Sequence, residues 1–152
     1  MRIKQLFFDR PKVKRAVDRG KRQALSRAGA FIRRRARSSI RKRKRASRPG
    51  QPPSSHTGLL RRFILFGYDR IRDSVVVGPV GFKRSRAPNV LEFGGRTTVE
   101  TRPRKGRGRR KQKRVVRIAS RPYMRPALEK EKSNLPAVWR NSVRASGGGG
   151  GM

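Results

Sequence analysis

Residues 54–95 read SSHTGLLRRFILFGYDRIRDSVVVGPVGFKRSRAPNVLEFGG and are the least basic long stretch of the chain. They hold one apolar run over residues 59–68 and a second over residues 75–77, the latter stopped by Gly78-Pro79. Short β-branched and aromatic runs bounded by Gly, Pro and Asp are typical of strands. Because the connection between the runs is short, the stretch predicts an antiparallel β-hairpin over residues 59–79.

The chain before this hairpin predicts a long helix over residues 10–40. Asp9 suits the N-cap, and Pro11 is tolerated in a first helical turn. Apolar residues recur at helical spacing, with Arg and Lys on the opposite face; the stripe consists of Val13, Val17, Ala24, Leu25, Ala28, Phe31, Ile32, Ala36 and Ile40. The small residues Ala24, Ala28 and Gly29 would let this helix pack closely on a sheet.

The chain after the hairpin predicts two further strands, over residues 97–101 and 115–119, and a helix from Pro126 to about Val143 with a kink at Pro136. The fold class expected is therefore α+β, with a long N-terminal helix and a C-terminal helix packed on an antiparallel β-sheet of about four strands.

We expect one domain over residues 1–146, a size that suits a single core. Basic loops are expected at 41–55 and 102–114, and a disordered Gly-rich tail at 147–152.

Charge dominates the composition, with 44 Lys and Arg residues against 8 Asp and Glu and a formal net charge of +36. Such a chain repels itself and needs a polyanion, an acidic protein neighbour or both. Two blocks, at 33–48 and 102–117, each hold ten cations. The residues expected to contact DNA or an acidic partner are Arg33, Arg34, Arg37, Arg41, Lys42, Arg43, Lys44, Arg45, Arg104, Lys105, Arg107, Arg109, Arg110 and Lys111.

Base-reading motifs are missing from the sequence: there is no zinc-finger spacing, no aromatic RNA-binding strand and no heptad zipper. Contact with nucleic acid is therefore expected at the phosphate backbone, without sequence preference and with strong salt dependence.

Catalytic chemistry is poorly supplied, since the chain has one histidine, His56, no cysteine, and carboxylates that form no obvious acid–base pair. We expect neither an enzyme nor a cofactor or metal. The apolar start at residues 6–8 is too short for a signal sequence, and no apolar run is long enough to span a membrane. Synthesis in the cytoplasm is expected.

Four short motifs in order carry a resemblance to a known family. They are His56-Thr57-Gly58-Leu59-Leu60, Val75-Val76-Val77-Gly78-Pro79, Leu91-Glu92-Phe93-Gly94-Gly95 and Arg121-Pro122-Tyr123-Met124-Arg125-Pro126-Ala127-Leu128. Over roughly residues 10–143 the chain resembles the tail-completion, or head–tail joining, proteins of long-tailed bacteriophages and prophages. The two basic blocks exceed what the family pattern needs.

This resemblance implies a structural virion protein that forms a ring, with six copies as the usual symmetry, at the head–tail junction around the DNA path. The implied partners are further copies of the chain, the tail tube protein, the head connector or stopper protein, and double-stranded DNA in the channel, with no membrane. The implied location is the virion, with the host cytoplasm during assembly. One basic block is expected to face DNA and the other acidic protein, with 33–48 favoured as the DNA face.

The apolar residues expected in the subunit core or at its interfaces are Leu60, Phe63, Leu65, Val76, Leu91, Phe93, Tyr123, Met124, Leu128 and Trp139. A second interpretation belongs to another class, a nonspecific nucleic-acid-binding protein of ribosomal or DNA-condensing type. The composition favours that alternative, whereas the order of the motifs favours the virion protein.

Overall fold

The computed structural model describes residues 9–82, 86–101 and 112–147. In chain order the elements are α1 (Arg10–Ser39), α2 (Leu59–Arg62), β1 (Ile64–Asp69), β2 (Ser74–Pro79), α3 (Ala87–Phe93), β3 (Gly95–Thr101), β4 (Gln112–Ile118), α4 (Met124–Lys132) and α5 (Leu135–Gly147). The predicted α+β class, with a long N-terminal helix, is confirmed.

Helix α1 begins as its sequence predicts. The Asp9 carboxylate accepts a hydrogen bond from the Lys12 backbone N–H at 3.0 Å, and Pro11 lies in the first turn. The buried residues follow a spacing of four, from Gly20 through Ala24, Ala28, Ile32 and Ala36 to Ile40. The predicted apolar stripe is wrong in its first part, because Val13 and Val17 are exposed.

The buried row of α1 winds around the helix, because each step of four residues advances by about 40°. Arg27 and Arg35 contact α5 and α4 on one side, while Arg33 contacts β1 on the opposite side. Helix α1 is therefore the central layer between the β1–β2 hairpin and the two C-terminal helices.

Gly29 lets α1 approach the hairpin closely, as the small residues of this helix predict. A Cβ atom at this position would lie 2.6 Å from Val75 Cγ2 and 2.8 Å from Phe66 Cδ2. Real Cβ atoms do not come so close to other heavy atoms, so a larger residue would push the hairpin away from the helix.

The predicted hairpin is confirmed, with antiparallel pairing from Ile64↔Pro79 to Asp69↔Ser74. Its predicted start is wrong, because Leu59–Arg62 forms the short helix α2. This tetrapeptide, Leu-Leu-Arg-Arg, consists of good helix formers and has no β-branched residue. Strand structure starts at Ile64, where the pairing with β2 begins.

The four strands form two separate two-stranded sheets, β1–β2 and β3–β4. Helix α3 stands between β2 and β3 in the chain and contacts β3. Gly94 makes the change from α3 to β3 with φ +78°, and a Cβ there would lie 3.1 Å from the Ser120 nitrogen.

The C-terminal region forms two helices, so the prediction of a single helix with a kink at Pro136 is wrong. The break occurs after Lys132, where Asn134 binds Glu131 through both its side chain and its backbone N–H. Pro136 lies at the second position of α5, where proline suits the start of a helix. Pro126 lies in the first turn of α4, as predicted.

The core is small, which fits the low apolar content. Its buried members come from α1 and its C-cap, from β1, and from α4 and its N-cap: Ala36, Ile40, Ile64, Tyr123 and Ala127. Leu60, Val77, Leu91 and Met124 pack against this cluster while remaining partly exposed.

Candidate polyanion interface

The three cations predicted as contact residues at the end of α1 differ in their exposure and in their contacts. Arg33 donates from Nε to the Ile64 backbone oxygen at 3.0 Å, so it ties α1 to β1. Arg34 is exposed, with its guanidinium 5.7 Å from the centre of the Phe31 ring. Arg37 is half-buried in the last turn. Of these three side chains, Arg34 is the one most open to a partner.

The other predicted cations of the first block, residues 41–45, lie on an exposed loop that doubles back on itself. Lys42 and Ser55 form a parallel bridge, and the Ser55 N–H donates to the Arg41 oxygen at 3.1 Å. Pro53 is fully buried. The loop is therefore attached at its base and not a free linker.

A second set of hydrogen bonds holds the tip of this loop against the segment before α4. The Gly50 N–H donates to the Ser120 oxygen at 2.8 Å, and Arg121 Nε donates to the Ser47 oxygen at 3.1 Å. The cations of the loop are thus carried on a backbone held from two sides, so they lose less freedom when they bind a partner.

A groove of about 460 Å³ lies between the end of α1, this loop and α4. We call it the basic groove. Four cations line it: Arg35 from α1, Arg41 and Arg43 from the loop, and Lys130 from α4. Tyr123, only 1% exposed, and the buried Pro53 lie on its inner surface.

No carboxylate lines the basic groove. Within the described part of the chain, no acidic side chain lies within ion-pair distance of Arg41, Arg43 or Lys130. Like charges that converge without a counter-charge repel one another, and an anion in the groove would relieve that repulsion.

Arg35 differs from the other three cations because its Nε donates to Glu131 Oε1 at 2.7 Å. Asn134 donates to the other Glu131 oxygen at 3.0 Å. The hydrogen bond from Asn134, and then that from Arg35, lowers the pKa of Glu131 below its ordinary value. Glu131 therefore stays ionised and fixes Arg35 between the basic groove and a neighbouring cavity of about 440 Å³.

Two serines reduce the negative end of the α1 dipole beside the basic groove. Ser38 Oγ donates to the Arg35 carbonyl at 2.9 Å, and Ser39 Oγ donates to the Ala36 carbonyl at 2.8 Å. The last carbonyls of a helix otherwise lack partners and carry partial negative charge. Since both hydroxyl protons are used in this way, the side-chain donors left for an anion in the groove lining include those of the four cations and of Gln51 and Ser54.

Glu92 holds the first turn of α4, which carries part of the groove wall. Its buried carboxylate accepts three backbone hydrogen bonds, from Tyr123 at 2.8 Å, Met124 at 3.0 Å and Arg125 at 2.8 Å. These N–H groups have no partner within the helix, so the carboxylate acts as a cap supplied from α3. Burial, with a smaller effect of the Glu92 charge, raises the pKa of Tyr123 to about 12.

A third acidic group anchors the tip of the β1–β2 hairpin. Asp73, at φ +50°, accepts hydrogen bonds from Lys21 and from the Tyr68 hydroxyl. The hydrogen bond from Lys21, and then that from Tyr68, lowers the pKa of Asp73. This carboxylate joins the hairpin to α1.

Six of the predicted contact residues lie outside the described residues: Arg104, Lys105, Arg107, Arg109, Arg110 and Lys111. The loop predicted at 102–114 therefore has only its last residues described, within β4. The basic groove instead contains Lys130, which no charge block includes and which lies far along the chain from Arg41. Sequence spacing holds no signal for that convergence.

The residues predicted for the core or the interfaces divide into two groups. Tyr123 is buried, and Leu60, Leu91 and Met124 are partly buried against the core. The remaining six are exposed by more than a third: Phe63, Leu65, Val76, Phe93, Leu128 and Trp139. Phe93, at 78%, and Val76, at 62%, are the most open of them.

Among residues 9–82, 86–101 and 112–147, no three His, Asp or Glu side chains stand close enough together to hold a metal ion. The same residues contain no helix with the length and apolar character of a membrane span. Comparison with protein families, curated proteins and solved structures found no match to this chain.

Proposed function

We propose that this protein is a structural component of a bacteriophage particle, a tail-completion or neck protein that forms a ring around the DNA path at the head–tail junction. Its proposed work is binding and not catalysis. The order of the four short motifs supports this proposal, and the α+β architecture agrees with what that resemblance implies.

The observation that carries the proposal is the incomplete burial of the subunit. In the described part of the chain each of the four strands has a strand partner on one side only. Unpaired edges and large exposed apolar side chains such as Phe93 and Val76 are features that a neighbouring subunit covers. A second copy of the chain is the proposed occupant of these surfaces.

The proposed ring must overcome its own charge. Each subunit carries +36, so six copies would concentrate six times that charge around one axis. Charges nearer than a Debye length, about 10 Å at 0.1 M salt, are poorly screened. We therefore expect closure to need an acidic template: the end of the tail tube, the face of the head connector, or the DNA itself. The proposed location is the virion, with assembly in the host cytoplasm.

Sedimentation of the purified full chain at low and high salt, followed by electron microscopy with and without tail tubes, tests this proposal. Monomers at low salt that become rings or capped tubes when the template is added are the expected result. Closed rings of free protein at low salt would refute the need for a template, and tubes that stay bare in all conditions would refute the tail role.

A second candidate function, nonspecific binding of nucleic acid by a free protein, is favoured by the net charge of +36 alone. It predicts clumps of protein and DNA in the same micrographs and no ordered ring in any condition. The two candidates share a DNA contact, and they differ in whether subunits contact one another in a fixed way.

A further inference from the structure

We propose that the basic groove is a phosphate-binding site that holds the backbone of double-stranded DNA. This inference rests on the DNA contact in the proposed function and assigns that contact to one place on the subunit. The site would consist of Arg41 and Arg43 from the loop and Lys130 from α4, with Arg35 fixed beside them.

The backbone around the basic groove is held in place before any ligand binds. The groove has walls from three separate parts of the chain, and each wall is held by its own contacts. The Ser55-to-Arg41 and Gly50-to-Ser120 hydrogen bonds hold the loop, the Glu92 cap holds the start of α4, and the Arg33-to-Ile64 hydrogen bond holds the end of α1. A backbone held in this way is ordered before binding, so the binding of an anion has to order only the side chains of these cations.

The chemistry of the donors favours phosphate. Guanidinium groups present paired N–H donors that match phosphate oxygens, and ammonium groups add a compact charge. Arg41, Arg43 and Lys130 have no acidic partner among the described residues. The groove lining contains no carboxylate, so no negatively charged side chain there repels a phosphate.

The lining favours a duplex backbone over a single strand. Proteins that bind single strands stack bases on exposed aromatic rings. The aromatic ring on the basic groove, Tyr123, is 1% exposed and has no face free for a base. The exposed cations of the same loop, Lys42, Lys44 and Arg45, extend the positive surface beyond the groove, as a continuous backbone requires.

The test is the binding of a fluorescent DNA duplex to the purified full chain, measured by anisotropy over a series of salt concentrations. The groove variant is Arg41→Ala/Arg43→Ala/Lys130→Ala. The matched control is Arg61→Ala/Arg70→Ala/Arg72→Ala, which removes the same charge from exposed positions on α2 and the hairpin turn. Circular dichroism of each variant checks that the fold is retained.

Each phosphate contact contributes about 0.9 to the slope of log affinity against log salt. We expect the groove variant to lower that slope by about 2 to 3 and the control variant by less than about 1. Arg41→Lys/Arg43→Lys keeps the charge and should keep most of the slope, with weaker binding because the paired donors are lost.

If the slope of log affinity against log salt falls equally in the groove and control variants, the proposed site is wrong, while the DNA contact of the proposed function remains. No duplex binding by the unaltered protein at low salt would overturn both. Poly-glutamate, added as a competitor, distinguishes an acidic protein from DNA. If it displaces the duplex from the unaltered protein and does not bind the groove variant, the occupant of the groove is an acidic protein and not DNA. If the triple variant fails to fold, Lys130→Ala against Arg70→Ala gives the same comparison, with an expected slope difference of about 0.9; equal slopes would overturn the site.

Discussion

Replacing Glu92 with Gln tests whether a single carboxylate from α3 holds the start of α4. The substitution keeps the size of the side chain and removes its charge. The three accepted hydrogen bonds come from Tyr123, Met124 and Arg125 at 2.8 to 3.0 Å. A Gln amide has one oxygen, so at least one of these backbone N–H groups would face an NH₂ donor.

The expected cost follows from those contacts. A hydrogen bond to a charged group contributes about 1.5–3 kcal/mol, and an anion at a helix N-terminus adds about 0.3–1 kcal/mol. Loss of one bond and of the charge therefore predicts a decrease of about 2–4 kcal/mol in the free energy of unfolding. For a chain of this length that corresponds to a fall in Tm of roughly 5–15 °C.

Urea unfolding followed by circular dichroism and by the fluorescence of Trp139, the one tryptophan of the chain, measures this loss. The control is Glu129→Gln, which makes the same chemical change at an exposed position of α4 and should stay within about 0.5 kcal/mol of the parent. An unfolding midpoint for Glu92→Gln equal to that of Glu129→Gln would refute the capping role.

Two further predictions concern packing and alkaline stability. Gly29→Ala should lower the free energy of unfolding, measured in urea, by about 1 kcal/mol, because overpacking against Val75 and Phe66 costs about 1–3 kcal/mol and a helical Ala regains about 1 kcal/mol. The control is Gly67→Ala, whose added Cβ would have nothing within 4 Å. A Gly29→Ala protein more stable than the parent would contradict the close contact. The raised pKa of Tyr123, about 12, means that the neutral phenol favours the folded state, so its contribution is complete below pH 10 and is lost between about pH 10 and 12. Absorbance titration should show a step near pH 12 that Tyr123→Phe removes, whereas the step of the other tyrosine, Tyr68, should remain in that variant. If Tyr123→Phe instead removes a step near pH 10, the result contradicts the burial of Tyr123.

The parts of the fold that depend on neighbours in sequence could be predicted. The Asp9 cap needs only the N–H group of Lys12, and the paired runs of the β1–β2 hairpin need only a short connection. Contacts of this kind are decided within a few residues, so spacing and residue type are sufficient to predict them.

The predictions for Val13 and Leu59, which are wrong, show what a local sequence pattern does not determine. Val13 has the spacing of a buried residue, yet it is exposed in the structure. Leu59 belongs to an apolar run typical of a strand but lies in a helix. Burial and pairing depend on what packs against a residue, and a local pattern does not contain that information.

The sequence by itself determined the charge, the long helix and the hairpin. Only the tertiary structure decided that Lys130 joins Arg41 and Arg43 in one groove, and that Glu92 caps a helix from a different element. The physical reason is that electrostatic and hydrogen-bond contacts depend on distance in space. Folding around α1 brings together side chains whose separation along the chain says nothing of that distance.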